Sequence, residues 1–190
     1  MTSRVAWGRA AWSIVAGLML VQAVALHLMG RVWSCSCGTI RLWVGDMHSS
    51  ELSQQIIDVY TPSHVIHGMI FYGLLHLLMP RAPVLLRLAI AVGLEAAWEI
   101  AENSQPVIAE YRKQATAAGY TGDSILNSVL DTVAMMTGFT LARLLPWQAT
   151  VALAIIAEVT TGVLFHDNLT LNILNFIHRF PAIEAWQRRV

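Results

Sequence analysis

The chain has 190 residues, of which 56% are hydrophobic and only 13% are charged, and its formal net charge at pH 7 is zero. A soluble domain would carry about twice that charged fraction, so the composition favours an integral membrane protein. The chain has no basic stripe, no Gly-rich phosphate loop and no G-x-S-x-G motif. These absences argue against a nucleic-acid-binding protein, an ATPase and a serine hydrolase.

The first predicted element is an apolar run near residues 12–30 that contains no charged residue. It is too long for the apolar region of a signal peptide, and no cleavage site of the A-x-A kind follows it. Four further runs, each close to the ~20 residues that cross a bilayer core, lie near residues 62–79, 84–103, 124–145 and 147–166. We therefore predict an all-α integral membrane protein, a single domain over residues 1–190 built as a bundle of about five transmembrane helices.

Two segments outside these spans are expected at the outer face, the loop 31–61 and the tail 169–190. The tail carries apolar residues at helical spacing but is shorter than a span, which predicts an interfacial C-terminal helix. Cys35 and Cys37 are one residue apart in the loop. That spacing is too tight for an easy mutual disulfide, and it leaves metal binding, lipidation and a redox function open for the two cysteines.

The orientation follows from the basic residues near the predicted helix ends. The positive-inside rule favours a cytoplasmic amino terminus, on the basis of Arg4, Arg9, Arg81 and Arg87. Some basic residues lie on the opposite side, namely Arg31, Arg41, Arg112 and Lys113. The loop 31–61, the loop after the third helix and the tail then share the outer side.

Acidic residues inside the predicted helices are the main indication of function. An ionised carboxylate in hydrocarbon costs at least about 2.5 to 3.5 kcal/mol, so such a residue normally faces a polar cavity, holds a partner or stays protonated. The candidate catalytic residues are Glu95, Glu99, Asp131 and Glu158. Their spacing with neighbouring polar residues places one polar face on each helix toward the same membrane surface. The sequence thus predicts a polar funnel that opens at the outer face and closes toward the cytoplasm.

Too few cations accompany these carboxylates, and three outcomes could relieve the imbalance: raised pKa values, a bound metal cation, or a water-filled vestibule. The pair His64 and His67 has the spacing of metal ligands, although such a pair could also cap its helix or lie at the headgroup level. The candidate metal ligands are His64, His67, Glu99, Glu102, Asp123 and Asp131, and the divalent metal could be zinc, manganese or iron. Further polar residues expected in the cavity are Asn103, Asn127, His166, Asp167 and Asn168.

Several segments carry a resemblance to a known family: CGTIRLWVGDMHSSELSQQ, SHVIHGMIFYG, WEIAENS, GDSILNSVLDTVAMMTGF and HDNLTLN. Together they resemble an uncharacterised bacterial family of multi-pass inner-membrane proteins, and the resemblance covers nearly the whole chain. It implies location and topology, and it marks ten motif positions, among them Glu99, Asn103 and Asp131, without assigning them roles.

Three classes of function remain open on the sequence. The first is a metal-dependent hydrolase or transferase that acts on a lipid or lipid-linked substrate at the headgroup level, with membrane lipids as its partners. The second is a transporter or proton relay, which would need a polar route through the inner half of the bundle. The third is an accessory or assembly subunit, in which the acidic residues only fix helix packing.

Overall fold

The computed structural model describes residues 2–189, with side chains described from residue 9 onward. The described chain contains eight helices and two short strands. The helices are α1 (Thr2–Leu28), α2 (Thr61–Leu78), α3 (Val84–Glu102), α4 (Gln105–Tyr111), α5 (Ile125–Leu144), α6 (Trp147–Phe165), α7 (Leu169–Ile177) and α8 (Pro181–Gln187). The strands β1 (Trp43–Val44) and β2 (Ile57–Asp58) pair in parallel within the first long loop.

The all-α prediction is confirmed, and the five long helices coincide with the five apolar runs of the sequence. Local signals set their starts: Pro62 lies in the first turn of α2, and the side chain of Ser124 accepts a hydrogen bond from the Asn127 amide at the start of α5. Both features are typical of helix N-termini.

By length and composition, three helices in the described chain could cross a membrane: Arg9–Leu28 of α1, Ile125–Leu144 of α5 and Trp147–Phe165 of α6. The other two long helices have similar lengths but carry ionisable side chains. Helix α2 contains three histidines, and α3 contains one arginine and three glutamates. Most of these residues, all except His76 and Arg87, belong to the candidate site described below.

Two glycines allow α2 and α5 to pack with their backbones in contact. A Cβ atom on Gly68 would collide with the backbone of Met135 and Phe139, and one on Gly138 would collide with the backbone of Val65. Only glycine fits such a crossing, because any side chain would force the two helices apart. This close approach brings the first turns of α2 against the first turns of α5.

An apolar core fills the bundle on the side of the α2 C-terminus. Its buried members come from α1, α2, α3 and α5 and are Val15, Leu75, Leu88, Ala89, Ala91, Val92, Met135 and Phe139. Arg87 lies beyond this core and is buried. Its Nη1 atom bonds to Nδ1 of His76 at 3.0 Å, and its guanidinium group lies over the ring of Tyr72. The core therefore separates Arg87 from the acidic residues farther along α3.

The loop 31–61 is anchored to the bundle through its backbone. The amides of Ser124 and Ile125 at the start of α5 donate hydrogen bonds to the carbonyls of Ser53 and Val32. Polar residues of this loop are buried, including Gln55 and Asp58. The loop thus forms a fixed cap over the end of the bundle that carries the candidate site.

The sulfur atoms of Cys35 and Cys37 are bonded to each other. This differs from the expectation that a one-residue separation disfavours a mutual disulfide. The backbone turns sharply between them, and the Cα atoms are 5.1 Å apart, inside the range that a disulfide spans.

Candidate functional site

The candidate site begins with a carboxylate held between two histidines. Glu95 on α3 is fully buried, and its carboxylate bonds to Nδ1 of His64 at 2.7 Å and to Nδ1 of His67 at 3.1 Å. When Nδ1 donates to a carboxylate, Nε2 keeps its lone pair and can bind a metal or accept a proton. Nε2 of His64 lies 3.8 Å from Oδ2 of Asp131 on α5. Glu95 therefore orients both rings and does not itself line the cavity.

Glu99 lies one turn after Glu95 and is 1% exposed. Its Oε2 accepts a hydrogen bond of 2.7 Å from the hydroxyl of Ser128. Its Oε1 lies 3.3 Å from Nδ1 of His64 but has no hydrogen-bond partner among the described residues. A buried charged oxygen without a partner is costly, so Oε1 of Glu99 is a candidate ligand atom for a cation.

Gln22 on α1 supports Glu99 from behind and was not among the residues that the sequence suggested. Its side chain donates to the hydroxyl of Ser128 at 2.9 Å and accepts from the hydroxyl of Thr132 at the same distance. Gln22 is the one amide side chain in an otherwise apolar and weakly polar run. A single amide side chain within the first predicted span is the sequence feature that could have indicated a buried polar contact at Gln22.

Asp123 holds the other end of the acidic cluster. Its Oδ2 accepts from the Asn103 amide at 2.7 Å, and its Oδ1 accepts from the Tyr120 hydroxyl at 3.0 Å. Burial raises the pKa of Asp123 to about 6, although these two hydrogen bonds oppose the shift. The preceding Gly122 has a φ of 94°, and a Cβ there would collide with Arg31 and Asn103. Glycine is thus required to turn Asp123 inward.

Part of the acidic cluster lines a cavity of about 80 Å³, whereas Glu99, like Glu95, is not among its lining residues. Such a volume holds several water molecules or a hydrated cation. Its polar lining comprises Asp58, His64, His67, Glu102, Asp123, Asn127 and Asp131. Three tyrosines also line it, namely Tyr60, Tyr111 and Tyr120. The apolar wall is formed by Trp98 and by residues of α7, namely Leu169, Ile173 and Phe176.

Three overlapping groups within the cluster have ligand atoms within 4.8 Å of one another, which suits a metal ion. They are His64 with His67 and Glu95; His64 with Glu99 and Asp131; and Glu99 with Glu102 and Asp123. A fourth group joins Glu51 to Cys35 and Cys37, but those sulfur atoms are bonded to each other and are not thiolates. The structure therefore brings together all six residues that the sequence suggested as metal ligands.

Other suggested residues lie outside these groups. Glu158 on α6 accepts hydrogen bonds from the amides of Leu169 and Thr170, so it binds the N-terminus of α7. Asn168 caps the same helix through the Leu171 amide, and His166 stacks on Trp186. Glu158 and Asn168 thus position α7, His166 packs against α8, and none of the three is among the residues that line the cavity.

Asp167 forms a separate hydrogen-bonded hub. Its Oδ2 accepts from the hydroxyls of Tyr60 and Thr116, and its Oδ1 accepts from the amides of Asn168 and Gln187. Burial is the main cause that raises the pKa of Asp167 to about 6, from 3.8, and these hydrogen bonds oppose it. Because the pKa of Asp167 is higher in the folded than in the unfolded protein, the folded state favours the protonated carboxyl. The stability that this protonation contributes is lost as the pH rises through about 6.

We expect Asp167→Asn to stabilise the protein at pH 8 by on the order of 2 kcal/mol, because it replaces a carboxylate that is ionised and buried at that pH. The amide keeps an acceptor for Asn168, and the two hydroxyls can rotate to accept from its NH2 group. The gain should shrink as the pH falls from 8 to 5, as measured by thermal unfolding in detergent. A pH-independent difference, or a less stable variant at pH 8, would contradict this.

The chain is similar to a family of bacterial proteins over most of its length. The family described as "Protein of unknown function (DUF2585)" matches residues 26–189. A UPF0314 protein of Rhizobium meliloti is 52% identical over 174 residues, which cover 92% of this chain and 88% of the relative. A UPF0314 protein of Brucella anthropi is 49% identical, and the match covers 95% of this chain and 91% of the relative. A UPF0314 protein of Sphingopyxis alaskensis is 48% identical, and the match covers 94% of this chain and 95% of the relative. No solved structure matches the chain. The chain therefore belongs to the bacterial DUF2585 family, which the sequence segments quoted above had indicated.

Proposed function

We propose that the protein is a multi-pass protein of the bacterial inner membrane that binds a divalent metal in its acidic cavity and acts as a hydrolase or transferase on a lipid or lipid-linked substrate. The observation that carries the proposal is the buried Glu99 carboxylate, whose Oε1 has no hydrogen-bond partner in the described chain and which belongs to two of the metal-suited groups.

The outer surface of the bundle supports the membrane location. Large apolar side chains are exposed on all five long helices, including Leu28, Leu77, Leu94, Leu144 and Val163. A soluble monomer rarely exposes contiguous apolar surface on this scale, whereas lipid contact requires it. The ionisable residues of α2 and α3 are mostly turned inward, so these helices can cross the membrane beside the three apolar ones.

The bond between Cys35 and Cys37 supports the side of the membrane that we propose for the site. Disulfides persist in oxidising compartments such as the bacterial periplasm and are rare in the cytosol. The loop that carries the bond covers the same end of the bundle as the acidic cavity. The cavity would then open toward the periplasm, with a cytoplasmic amino terminus.

The charge of the residues that line the cavity supports the proposal of a bound metal. No lysine or arginine is among the residues that line the cavity in the described chain, whereas four of them are acidic: Asp58, Glu102, Asp123 and Asp131. Several ionised carboxylates in a dry bundle would be strongly unfavourable without a cation. A bound divalent metal offsets this charge and, when present, acidifies a bound water and polarises the substrate oxygen.

The protein's own side chains would supply the proton transfer. His67 lines the cavity, and Glu95 holds its Nδ1, which leaves Nε2 as a proton acceptor. In hydrolysis the oxygen of water would bond to the substrate centre and one proton of that water would move to His67. The bond to the leaving oxygen would break, and His67 would give its proton to that oxygen. The role of general base suits histidine because its ordinary pKa is close to neutral pH.

The apolar wall supports a lipid substrate. Trp98, Ile173 and Phe176 line the same cavity as the acidic side chains. A headgroup could occupy the polar side while the first carbons of the chain contact this wall. A transport path is less well supported, because the apolar core around Val92, Met135 and Phe139 closes the bundle beyond the cavity.

The test is elemental analysis of the protein purified in mild detergent. We expect stoichiometric zinc, manganese or iron, and a rise in melting temperature when that metal is returned to the chelator-treated protein. The loaded protein should also release a headgroup from an extract of bacterial lipids. Absence of stoichiometric metal, together with no effect of these three metals on the melting temperature, would sink the proposal.

A further inference from the structure

We infer that the cluster holds two divalent cations, with Glu99 as the carboxylate shared between them. The inference rests on the proposed function, since it assumes that the cavity binds metal, and it goes further by assigning the number of cations, their ligands and the class of substrate. Its starting point is that Glu99 belongs to two of the metal-suited groups, one with His64 and Asp131 and one with Glu102 and Asp123.

The first cation has one nitrogen and two carboxylate ligands. Glu95 bonds to Nδ1 of His64 at 2.7 Å, so Nε2, which is 3.8 Å from Oδ2 of Asp131, is the nitrogen left to bind. A metal-binding histidine almost always has its other ring nitrogen fixed in this way by a carboxylate or carbonyl. Mixed nitrogen and oxygen ligands suit zinc, manganese or iron.

The second cation has carboxylate ligands only, from Glu99, Glu102 and Asp123. Asn103 and Tyr120 each donate to a different oxygen of Asp123 and fix its orientation. Each carboxylate oxygen has two lone pairs, so both oxygens of Asp123 can still bind a cation. An all-oxygen ligand set suits magnesium or manganese.

Glu99 has the properties of a bridging ligand. Ser128 fixes its Oε2, while Oε1 is buried and has no hydrogen-bond partner in the described chain. The four carboxylates of these two groups, Glu99, Glu102, Asp123 and Asp131, carry four negative charges when ionised, which two divalent cations would offset. A single cation would leave two of these charges unmatched in a buried cluster.

Two adjacent cations indicate a phosphate-bearing headgroup as the substrate. No lysine or arginine lines the described cavity, so the cations would be the groups that receive an anionic phosphate. Pairs of metals about 3.5–4 Å apart stabilise the attacking and leaving oxygens in displacement at phosphorus. The oxygen of water bonds to phosphorus, the bond from phosphorus to the leaving oxygen breaks, His67 takes a water proton, and the leaving oxygen is protonated on release.

The test is titration of the chelator-treated protein with Mn²⁺, with the bound ions counted per chain. Wild-type protein is expected to bind two, and Asp123→Asn is expected to bind one. Glu110→Gln, which changes an exposed carboxylate paired with Lys113, should bind two as a matched control. If Asp123→Asn does not fold by its melting curve, Glu102→Gln takes its place with the same expected stoichiometry.

The number of ions bound per chain distinguishes the two-cation inference from the proposed metal function. One ion per wild-type chain overturns the two-cation inference and leaves the proposed metal function standing, whereas no ion overturns both. Inorganic phosphate is the probe for the substrate class: at saturating Mn²⁺ it should raise the melting temperature of the wild type and have a smaller effect on Asp123→Asn. An equal effect on both proteins, or none on either, overturns the assignment of a phosphate-bearing substrate.

Discussion

Replacing Glu99 with glutamine is expected to lower the affinity for divalent metal by at least about 100-fold, or roughly 3 kcal/mol. The reason is that Glu99 belongs to both groups of carboxylate ligands, so its charge is lost from each of them at once. Glutamine keeps an oxygen that can accept the hydrogen bond from Ser128. The measurement is metal content after purification, followed by titration of the metal-free protein.

A loss of metal could also follow from unfolding, and the melting temperature of the metal-free proteins distinguishes the two causes. Metal-free Glu99→Gln should be at least as stable as the metal-free wild type, because the substitution replaces a buried carboxylate with a neutral amide. Glu158→Gln is the matched control, since Glu158 is acidic and helical but bonds to the start of α7. Metal retention by Glu99→Gln would refute the role of this residue.

The positions of the long helices could be predicted from the sequence because they depend on local pattern. An apolar run of about 20 residues predicts a long helix, and the prolines and small polar residues at its ends predict where that helix begins and ends. The convergence of His64, Glu99 and Asp131 followed from one further step, since residues three or four apart share a helix face and the helix directions alternate. That step needs no knowledge of the helix order in space.

The exclusion of Glu158 from the cluster could not be predicted in the same way. Its depth in the last long helix matches that of the other acidic residues, but its partner is a short helix that begins eleven residues later. The position of Tyr60, Tyr111 and Tyr120 at the cavity could not be predicted either. Aromatic residues near helix ends are typical of membrane interfaces, and only the fold of the intervening loops turns these three toward the cavity.

The crossing of α2 and α5 also lay beyond sequence reasoning, although it sets the geometry of the site. Glycine is frequent in membrane helices, and the sequence does not show which glycine faces a neighbour. In the structure Gly68 contacts the backbone of α5, whereas a Cβ on Gly73 of the same helix would have no atom of the described residues within 4 Å. The two glycines therefore differ only in what surrounds them.

Gly68→Ala is expected to destabilise the protein by about 3 kcal/mol, at the upper end of the range for overpacking, because the backbone of Met135 and Phe139 cannot rotate away as a side chain could. Gly73→Ala should be neutral or stabilising by up to about 1 kcal/mol, since alanine favours the helix and meets open space. Thermal unfolding of the two variants in the same detergent gives the comparison. Equal melting temperatures would mean that α2 and α5 are not in backbone contact.

The same substitution should weaken metal binding, because the residues that supply ligands lie on both sides of the crossing. His64 on α2 and Asp131 on α5 have their nearest nitrogen and oxygen 3.8 Å apart. A methyl group at position 68, one turn after His64, would push α2 and α5 apart. The distance between His64 and Asp131 would then increase, and the two residues could no longer bind the same cation. Gly73→Ala should bind metal like the wild type, and a Gly68→Ala protein that also did so would show that the ligands assemble independently of this crossing.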